Sequence, residues 1–418
     1  MFSPSCFCCP VTSAPVGYGE YDLSVAEPHW DDSKHIDLTQ PEFIKTLEGD
    51  LRNDPAFVRE LPSNYGCCSS FKVMSDEGMS VLDIALAGIE KYSVKSPRIP
   101  KVLRGGVFRS KFLNGMGHSA AVLRHVSSLA GCELVYHPMK LHQIHVNWKP
   151  DSDHEINVDK WHCDTTPFVL ILFCTDPSEY SGGTLQYFKG TREEGTALLS
   201  AGNGVPAARI INVGLQSKGH GVFMQGWRVF HQVTSVTSGP ARTTAVFSFH
   251  PRNVLALEAC NHLGLTYNQV DPLHILLPDW ARFRAWKSLR RIEMFEDELK
   301  VSDIVPPSSQ LMDLVAILVV CKLKFARIVH SLPYTDDRTL LTEELEQTTL
   351  ELTAFSQLFP EELLPISAAT CSATANREKD FLGSKFGLSN VFAIVVDIAD
   401  CILDIKTLQA GESPMVYF

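Results

Sequence analysis

The chain has 418 residues, 45% hydrophobic and 20% charged, which suffices for a large buried core and exceeds what one small barrel needs. Its formal net charge of −11 argues against a nucleic-acid partner, and its 12 cysteines, scattered without zinc-type pairing, fit a reduced, cytoplasmic setting. The apolar run at 314–320 stops at Lys322 and Lys324, far short of a membrane span.

Residues 1–30 lack the basic start and unbroken apolar core of a secretory signal and are expected to form a flexible tail that includes Cys6, Cys8 and Cys9. Two His-x-Asp triplets, His29-Trp30-Asp31 and His35-Ile36-Asp37, sit among Pro28, Asp32 and Ser33, a composition that reads as surface turn chemistry. Helical spacing over 79–90 and 119–129 marks 31–133 as a helical and mixed region bracing a strand-rich stretch downstream. Within it, Gly115-Met116-Gly117-His118-Ser119-Ala120 matches a dinucleotide-binding loop, with Glu133 downstream. The stretch before it is a poor buried strand and no βαβ series comes after it, so a nicotinamide-dependent dehydrogenase is the weakest alternative.

Residues 141–148 alternate as a strand, with Gln143, His145 and Asn147 on one face and Ile144, Val146 and Trp148 on the other. The polar face is expected to line an interior pocket for a substrate with hydrogen-bonding groups, since a buried polar atom left unpaired costs about 1–3 kcal/mol. A third triplet, His162-Cys163-Asp164, precedes an apolar run at 167–173 with the composition of a buried strand. Gly182-Gly183 then opens another at 184–188. Residues i and i+2 of a strand point the same way, roughly 6.6 Å apart, so His162 and Asp164 could close on one ion. Cys163 between them is expected to point away.

Residues 219–231 read as two short strands around a Gln225-Gly226 turn, the second ending at His231, with Trp227 and Val229 facing inward on the same alternation. After Ser238-Gly239-Pro240, the strand 242–249 places Arg242, Thr244, Val246 and Ser248 on one face. An arginine with a hydroxyl two residues on can hold a carboxylate, because guanidinium is permanently charged and binds it through two parallel hydrogen bonds. Two imidazoles and one carboxylate are the ligand set of a non-haem Fe(II) oxygenase, which leaves positions open for co-substrate and oxygen. Beyond 253 the pattern turns helical, at 278–300, 310–331, 339–358 and 389–405. These segments form a C-terminal helical region, 254–418, packed on the barrel or serving a homo-oligomer interface. Basic residues 282–291 are followed at once by Glu293, Glu296, Asp297 and Glu298, the pattern of a solvated helix face.

Taken together, His-x-Asp, an apolar strand, Gly-Gly, a distal histidine and Arg-x-Thr resemble the Fe(II)/2-oxoglutarate-dependent dioxygenase superfamily, over 134–252. The resemblance implies an α+β fold with a double-stranded β-helix (jelly-roll) core at 134–253, flanked by the N-terminal helices and the C-terminal helical region. It implies His162, Asp164 and His231 as ligands of Fe(II), and Arg242 with Thr244 as the clamp on 2-oxoglutarate. Asn147 matches an asparagine that contacts the co-substrate in several members; the tyrosine often found two residues later is Lys149 here.

The chemistry so implied is oxidation of a small polar molecule, amino-acid-like or a secondary metabolite, by hydroxylation, desaturation or ring closure. It consumes O2 and 2-oxoglutarate and releases succinate and CO2. The intact carboxylate at Asp164 argues against the halogenating branch. Gln143, His145 and Trp227 are the candidate substrate contacts. The main alternative keeps the jelly roll without redox chemistry, as a cupin-like metal isomerase or binding protein, and would leave Arg242 with no co-substrate to hold.

Overall fold

The structure is a computed structural model and describes residues 27–96, 98–149, 157–214, 217–239, 242–256, 271 and 273–301. Contacts divide the chain into two compact units that meet in sequence after Pro272. The expected helices at 310–331, 339–358 and 389–405 and the cysteines of the tail lie outside the described residues.

In the first unit the chain begins with α1 (Asp32–His35), β1 (Ile44–Thr46), α2 (Pro55–Val58), β2 (Tyr65–Cys68) and β3 (Phe71–Lys72). Then come α3 (Asp76–Ile89), β4 (Val102–Leu103), α4 (Lys111–Met116), α5 (Ala120–Ala130), β5 (Leu134–Tyr136) and α6 (Lys140–Gln143). The two expected helices are α3 and α5, each started by a serine, Ser75 and Ser119, whose hydroxyl accepts a hydrogen bond from an otherwise unpaired first-turn amide. Asp31 caps α1 in the same way, but His35 of that turn is buried against Trp30 and Phe112 and is not a surface residue. The glycine-rich stretch at 115–117 ends a helix and does not link a strand to one. A β-carbon on Gly115 would strike Trp30, so packing explains that glycine.

The sheets are completed by β6 (Ile144–Trp148), β7 (Asp159–His162), β8 (Phe168–Phe173), β9 (Ser181–Gly182), β10 (Leu185–Phe188) and, after helix α7 (Arg192–Ser200), β11 (Ile210–Asn212). They end with β12 (His220–Met224), β13 (His231–Val233), β14 (Val236–Ser238) and β15 (Thr243–Pro251). A nine-stranded sheet runs β1-β2-β12-β8-β15-β6-β4, with β3 on β12 and β5 on β15. A four-stranded sheet runs β11-β10-β13-β7, and β14 pairs with β9. From β6 onward the chain passes back and forth between the two larger sheets, with β6, β8, β12 and β15 in one and β7, β13 and the consecutive pair β10 and β11 in the other. The architecture is mixed α+β with large antiparallel sheets.

One hydrophobic cluster draws on both sheets. Val169, Ile171 and Phe173 of β8, Val222 and Met224 of β12 and Val246 of β15 meet Leu185 and Tyr187 of β10 and Val233 of β13. Every residue of β8 is buried, because it is the central strand between β12 and β15 and is covered on both faces. That is why its sequence is an unbroken apolar run. Full burial of each such side chain is worth about 1.5–3 kcal/mol, so β8 anchors the nine-stranded sheet that carries Asn147 and Thr244.

Three expectations need correction. Residues 140–143 form the helical turn α6, so the strand that continues to Trp148 begins at Ile144. Residues 226–229 are turn and do not form the second arm of a hairpin, so His231 begins a strand where alternation placed it at the end of one. In the second unit, α8 (Leu273–Val301) starts ahead of Pro278 and contains it. No described helix is long and apolar enough to cross a membrane.

Candidate metal centre

Strand pairing brings the two histidines together. β7 and β13 are antiparallel neighbours with His162 directly opposite His231, and their ring centroids lie 4.2 Å apart. Asp164 follows the end of β7 and turns back, its Oδ1 3.2 Å from His162 Nε2 and its Oδ2 3.7 Å from His231 Nε2. The three ligand atoms lie within 4.8 Å of one another, a spacing that one metal ion can span; among the described residues no other histidine, cysteine or carboxylate group does this.

Both imidazoles are oriented from behind by backbone. His162 Nδ1 lies 2.6 Å from Lys160 O and His231 Nδ1 lies 2.8 Å from Val229 O, so each Nδ1–H donates to a carbonyl and each Nε2 lone pair is left facing Asp164. This is the arrangement that sets the tautomer of a metal-binding histidine. The turn at 226 supports the carboxylate: Asp164 N–H donates to Gly226 O at 3.0 Å. Burial alone would raise the Asp164 carboxyl, but the adjacent His231 and His162 outweigh it and hold the group well below the usual carboxylate range. Burial and the neighbouring His162 push His231 down to about 4, so near neutral pH the site offers one carboxylate and a neutral His231 imidazole, as a divalent cation requires.

A second feature lies on β15. Arg242, the residue before that strand, is almost completely buried, and its Nε donates to Gly183 O at 3.0 Å. Gly183 has φ +58°, and a β-carbon there would sit 2.7 Å from Arg242 Cδ, so Gly183 makes room for the arginine. Nη1 and Nη2 are buried with no hydrogen-bond partner among the described residues; the Tyr180 hydroxyl is an electrostatic neighbour that falls short of hydrogen-bond geometry. Burial of this charge pulls the guanidinium below its ordinary pKa. Thr244 is buried and stands opposite Asn147 of β6, whose Oδ1 is likewise buried and unpartnered. Thr244 also pairs with Phe173, a core residue between the sheets, so Thr244 and Asn147 share the inward face. A buried forked cation on a strand that also carries a hydroxyl is a set of groups that could hold a carboxylate, whereas the unpartnered Asn147 oxygen is an acceptor.

The remaining expected residues divide. His145, opposite Val246, shares the inward face with Asn147. It is half-buried, and burial together with the charge of Arg104 pushes it down to about 3, so it is a neutral donor or acceptor. Gln143 is not in that row: α6 turns its amide toward the end of α4, where a β-carbon on Gly117 would lie 3.3 Å from Oε1. Trp227 belongs to the core cluster between the sheets, with its indole N–H buried and unpartnered. Burial pushes the Cys163 thiol up to about 12, which makes it an inert neighbour. A cavity of about 410 Å³ opens beside α3, walled by Asp83, Glu90, Trp148, Lys149 and Asp176, and it reaches Arg242.

Sequence reasoning missed Asp159 and Arg98. Asp159 Oδ1 lies 3.6 Å from His162 Nδ1 and 3.0 Å from Arg98 Nε. Strand position could have flagged Asp159, a carboxylate at the head of a strand that ends in a ligand; no local pattern marks Arg98.

No family model and no curated protein matches the sequence. Among solved structures the chain is similar to SnoN, a non-haem α-ketoglutarate-dependent epimerase from nogalamycin biosynthesis, at 16% identity over 48% of this chain and 84% of that one, with a TM-score of 0.34. It is similar to HygX from Streptomyces hygroscopicus, solved with nickel and 2-oxoglutarate bound, at 12% identity over 44% and 83% of the two chains, with a TM-score of 0.34. A third is SnoK, a non-haem α-ketoglutarate-dependent carbocyclase from nogalamycin biosynthesis, at 18% identity over 50% and 87%, with a TM-score of 0.33.

Proposed function

We propose that the chain is a non-haem Fe(II)/2-oxoglutarate-dependent oxygenase of small polar molecules, amino-acid-like compounds or secondary metabolites, with 134–253 as its double-stranded β-helix core. The observation that carries this reading is the pairing of a two-histidine, one-carboxylate cluster with a buried guanidinium whose outer nitrogens have no partner. A buried charge with so few partners is costly, and a fold that keeps one has a use for it. The strand alternation from β6 to β15 supports the jelly-roll reading. A cupin-like isomerase would share the triad but would leave Arg242 unexplained.

His162, Asp164 and His231 would hold Fe(II) through Nε2, a carboxylate oxygen and Nε2. Arg242, with the Thr244 hydroxyl, would hold the far carboxylate of 2-oxoglutarate, while Asn147 offers an amide beside it. When bound, iron, the keto acid and O2 supply oxidative decarboxylation to succinate and CO2, coupled to hydroxylation, desaturation or ring closure of the substrate. The work of the chain is positioning. The Lys160 and Val229 carbonyls fix the rings, and Gly226 and Gly183 leave space for Asp164 and Arg242. His145, neutral and half-buried on the inward face, is placed to take a hydrogen-bonding group of the substrate.

The test is anaerobic titration of the Fe(II)-loaded protein with 2-oxoglutarate. A visible charge-transfer band of the chelated keto acid is expected, and it should be lost in Arg242→Gln at the same concentration. Absence of the band in the native sequence, with iron shown to be bound, rules the reading out.

A further inference from the structure

β4 ends the nine-stranded sheet and β7, with the ligand His162, ends the four-stranded one. One side chain crosses between these two edges. Ahead of β4 the chain folds back on itself: Val94 bridges Val102, and Ser96 pins the turn, its N–H donating to Ile99 O at 2.9 Å and its hydroxyl accepting from Ile99 N–H at 2.8 Å. Arg98 stands in that turn. Its Nε reaches Asp159 of β7 at 3.0 Å from Oδ1, and the same oxygen lies 3.6 Å from His162 Nδ1, so two short contacts lead from the arginine to a metal ligand. The base of the hairpin flanks the other half of the site: Val102 stands opposite Asn147, and Trp148 N–H donates to Lys101 O at 3.0 Å.

The guanidinium is held at one end and open at the other. Nε is buried against Asp159, whereas Nη1 and Nη2 have no hydrogen-bond partner among the described residues, and the side chain keeps one-quarter of its surface exposed. Arg242 is mounted in the same way, with Nε on Gly183 O and its outer nitrogens left over, although there the fork is buried. An arginine–aspartate bridge built for stability closes two parallel hydrogen bonds through the fork. Here the single contact is through Nε and falls outside hydrogen-bond geometry. It aims the fork without using it.

We infer that Arg98, aimed by Asp159, binds a carboxylate of the substrate, and that the substrate is a small organic acid. The inference rests on the oxygenase reading and adds to it a specificity-determining residue and a substrate class. A guanidinium holds a carboxylate through two parallel hydrogen bonds, and Arg98 has both outer nitrogens to give. With Arg242 assigned to 2-oxoglutarate, the fork between the sheet edges is left for the second reactant. Asp159 already offsets part of the Arg98 charge, which suits a monoanion and disfavours a dianionic phosphate.

The test is calorimetric titration of the full chain, saturated with Ni(II) and 2-oxoglutarate so that the Arg242 site is filled. The probes are small aliphatic, aromatic and N-acetylamino acids, each paired with its own carboxamide, which keeps the shape and removes the charge. At least one acid is expected to bind about tenfold or more tighter than its amide, the scale of hydrogen bonds to a charged group, and inorganic phosphate should not displace it. Arg98→Gln should erase that preference by weakening the acid alone, and Arg98→Lys, which keeps the charge without the fork, should restore part of it. A plain strut would, when cut, weaken acid and amide alike. That result overturns the inference, as does a panel in which no acid binds, an acid preference that survives Arg98→Gln, or displacement by phosphate. Circular-dichroism melts and Ni(II) uptake show that each variant is folded with its metal site. Failure of the native protein to take up Ni(II) and 2-oxoglutarate would refute the oxygenase reading itself, whereas ordinary uptake without an acid preference refutes only the role of Arg98.

Discussion

Gly226 lies against Asp164 so closely that a β-carbon at position 226 would stand 2.1 Å from Asp164 Oδ2 and 3.0 Å from its Cγ. The carboxylate reaches the two histidines only because that carbon is missing. Gly226→Ala is therefore expected to displace Asp164 and to weaken Ni(II) or Co(II) binding by about ten- to a hundredfold, as judged by calorimetric titration. The fold should survive, because the atom struck first is the end of a side chain. Native metal affinity in that variant would remove Asp164 from the ligand set.

Gly183 offers the matching experiment on the other half of the site. Its φ of +58° disfavours any side chain, and a β-carbon would press on Arg242 Cδ and Nε at 2.7 and 2.9 Å. Gly183→Ala should lower 2-oxoglutarate affinity by tenfold or more, roughly the 1–3 kcal/mol scale of such backbone strain, and leave Ni(II) affinity unchanged. The two glycine variants together would separate metal binding from co-substrate binding. Equal loss of both in either variant would mean that the sites are not distinct.

Arg242 itself sets function against stability. Its outer nitrogens are buried without a full hydrogen bond, so the ligand-free fold carries a charge that Gly183 O and Tyr180 compensate only in part. Arg242→Met is expected to raise the unfolding free energy of the ligand-free protein by about 1 kcal/mol, and to lower 2-oxoglutarate affinity by the 3–5 kcal/mol typical of cutting a buried charged pair. Denaturant unfolding and calorimetry read the two effects separately. A destabilised variant with native 2-oxoglutarate affinity would make Arg242 a structural residue.

How much of the fold and site was legible in the sequence depends on the range of each interaction. The run 167–173 announced β8 because a strand covered on both faces has no polar position to confuse the reading. Alternation along β15 put Thr244 on the face of Val246, as the register has it. Alternation failed at Gln143, where α6 interrupts the strand; the turn expected at Gly226 is present but runs on through Trp227, so the second strand starts only at His231, although Trp227 and Val229 do face the core. Period-two counting assumes that a strand continues, and nothing local reveals where tertiary packing ends it. Arg98 was invisible for a different reason: it meets Asp159 across distant segments, and a single arginine in a polar loop has no pattern of its own.

Acid should destabilise the metal-free protein in a defined window. His231 and His145 are held down to about 4 and about 3, chiefly by burial, against about 6.5 for an unfolded histidine. The unfolded chain therefore takes up protons that the folded chain refuses, and stability falls as pH drops below about 6.5 until the folded pKa values are reached. Asp164 behaves differently: its depressed pKa contributes stability that is present above the ordinary carboxylate pKa and is lost only in stronger acid, so the loss between about pH 6.5 and 4 belongs to the histidines. Urea unfolding of the metal-free chain at pH 7, 6 and 5 should show a steady decline. His145→Gln, which removes one titrating ring while keeping a hydrogen-bonding side chain, should flatten it. A native protein equally stable across that range would show that these two imidazoles are not held neutral, and with it would fall the assignment of His145 as an uncharged hydrogen-bonding contact for the substrate.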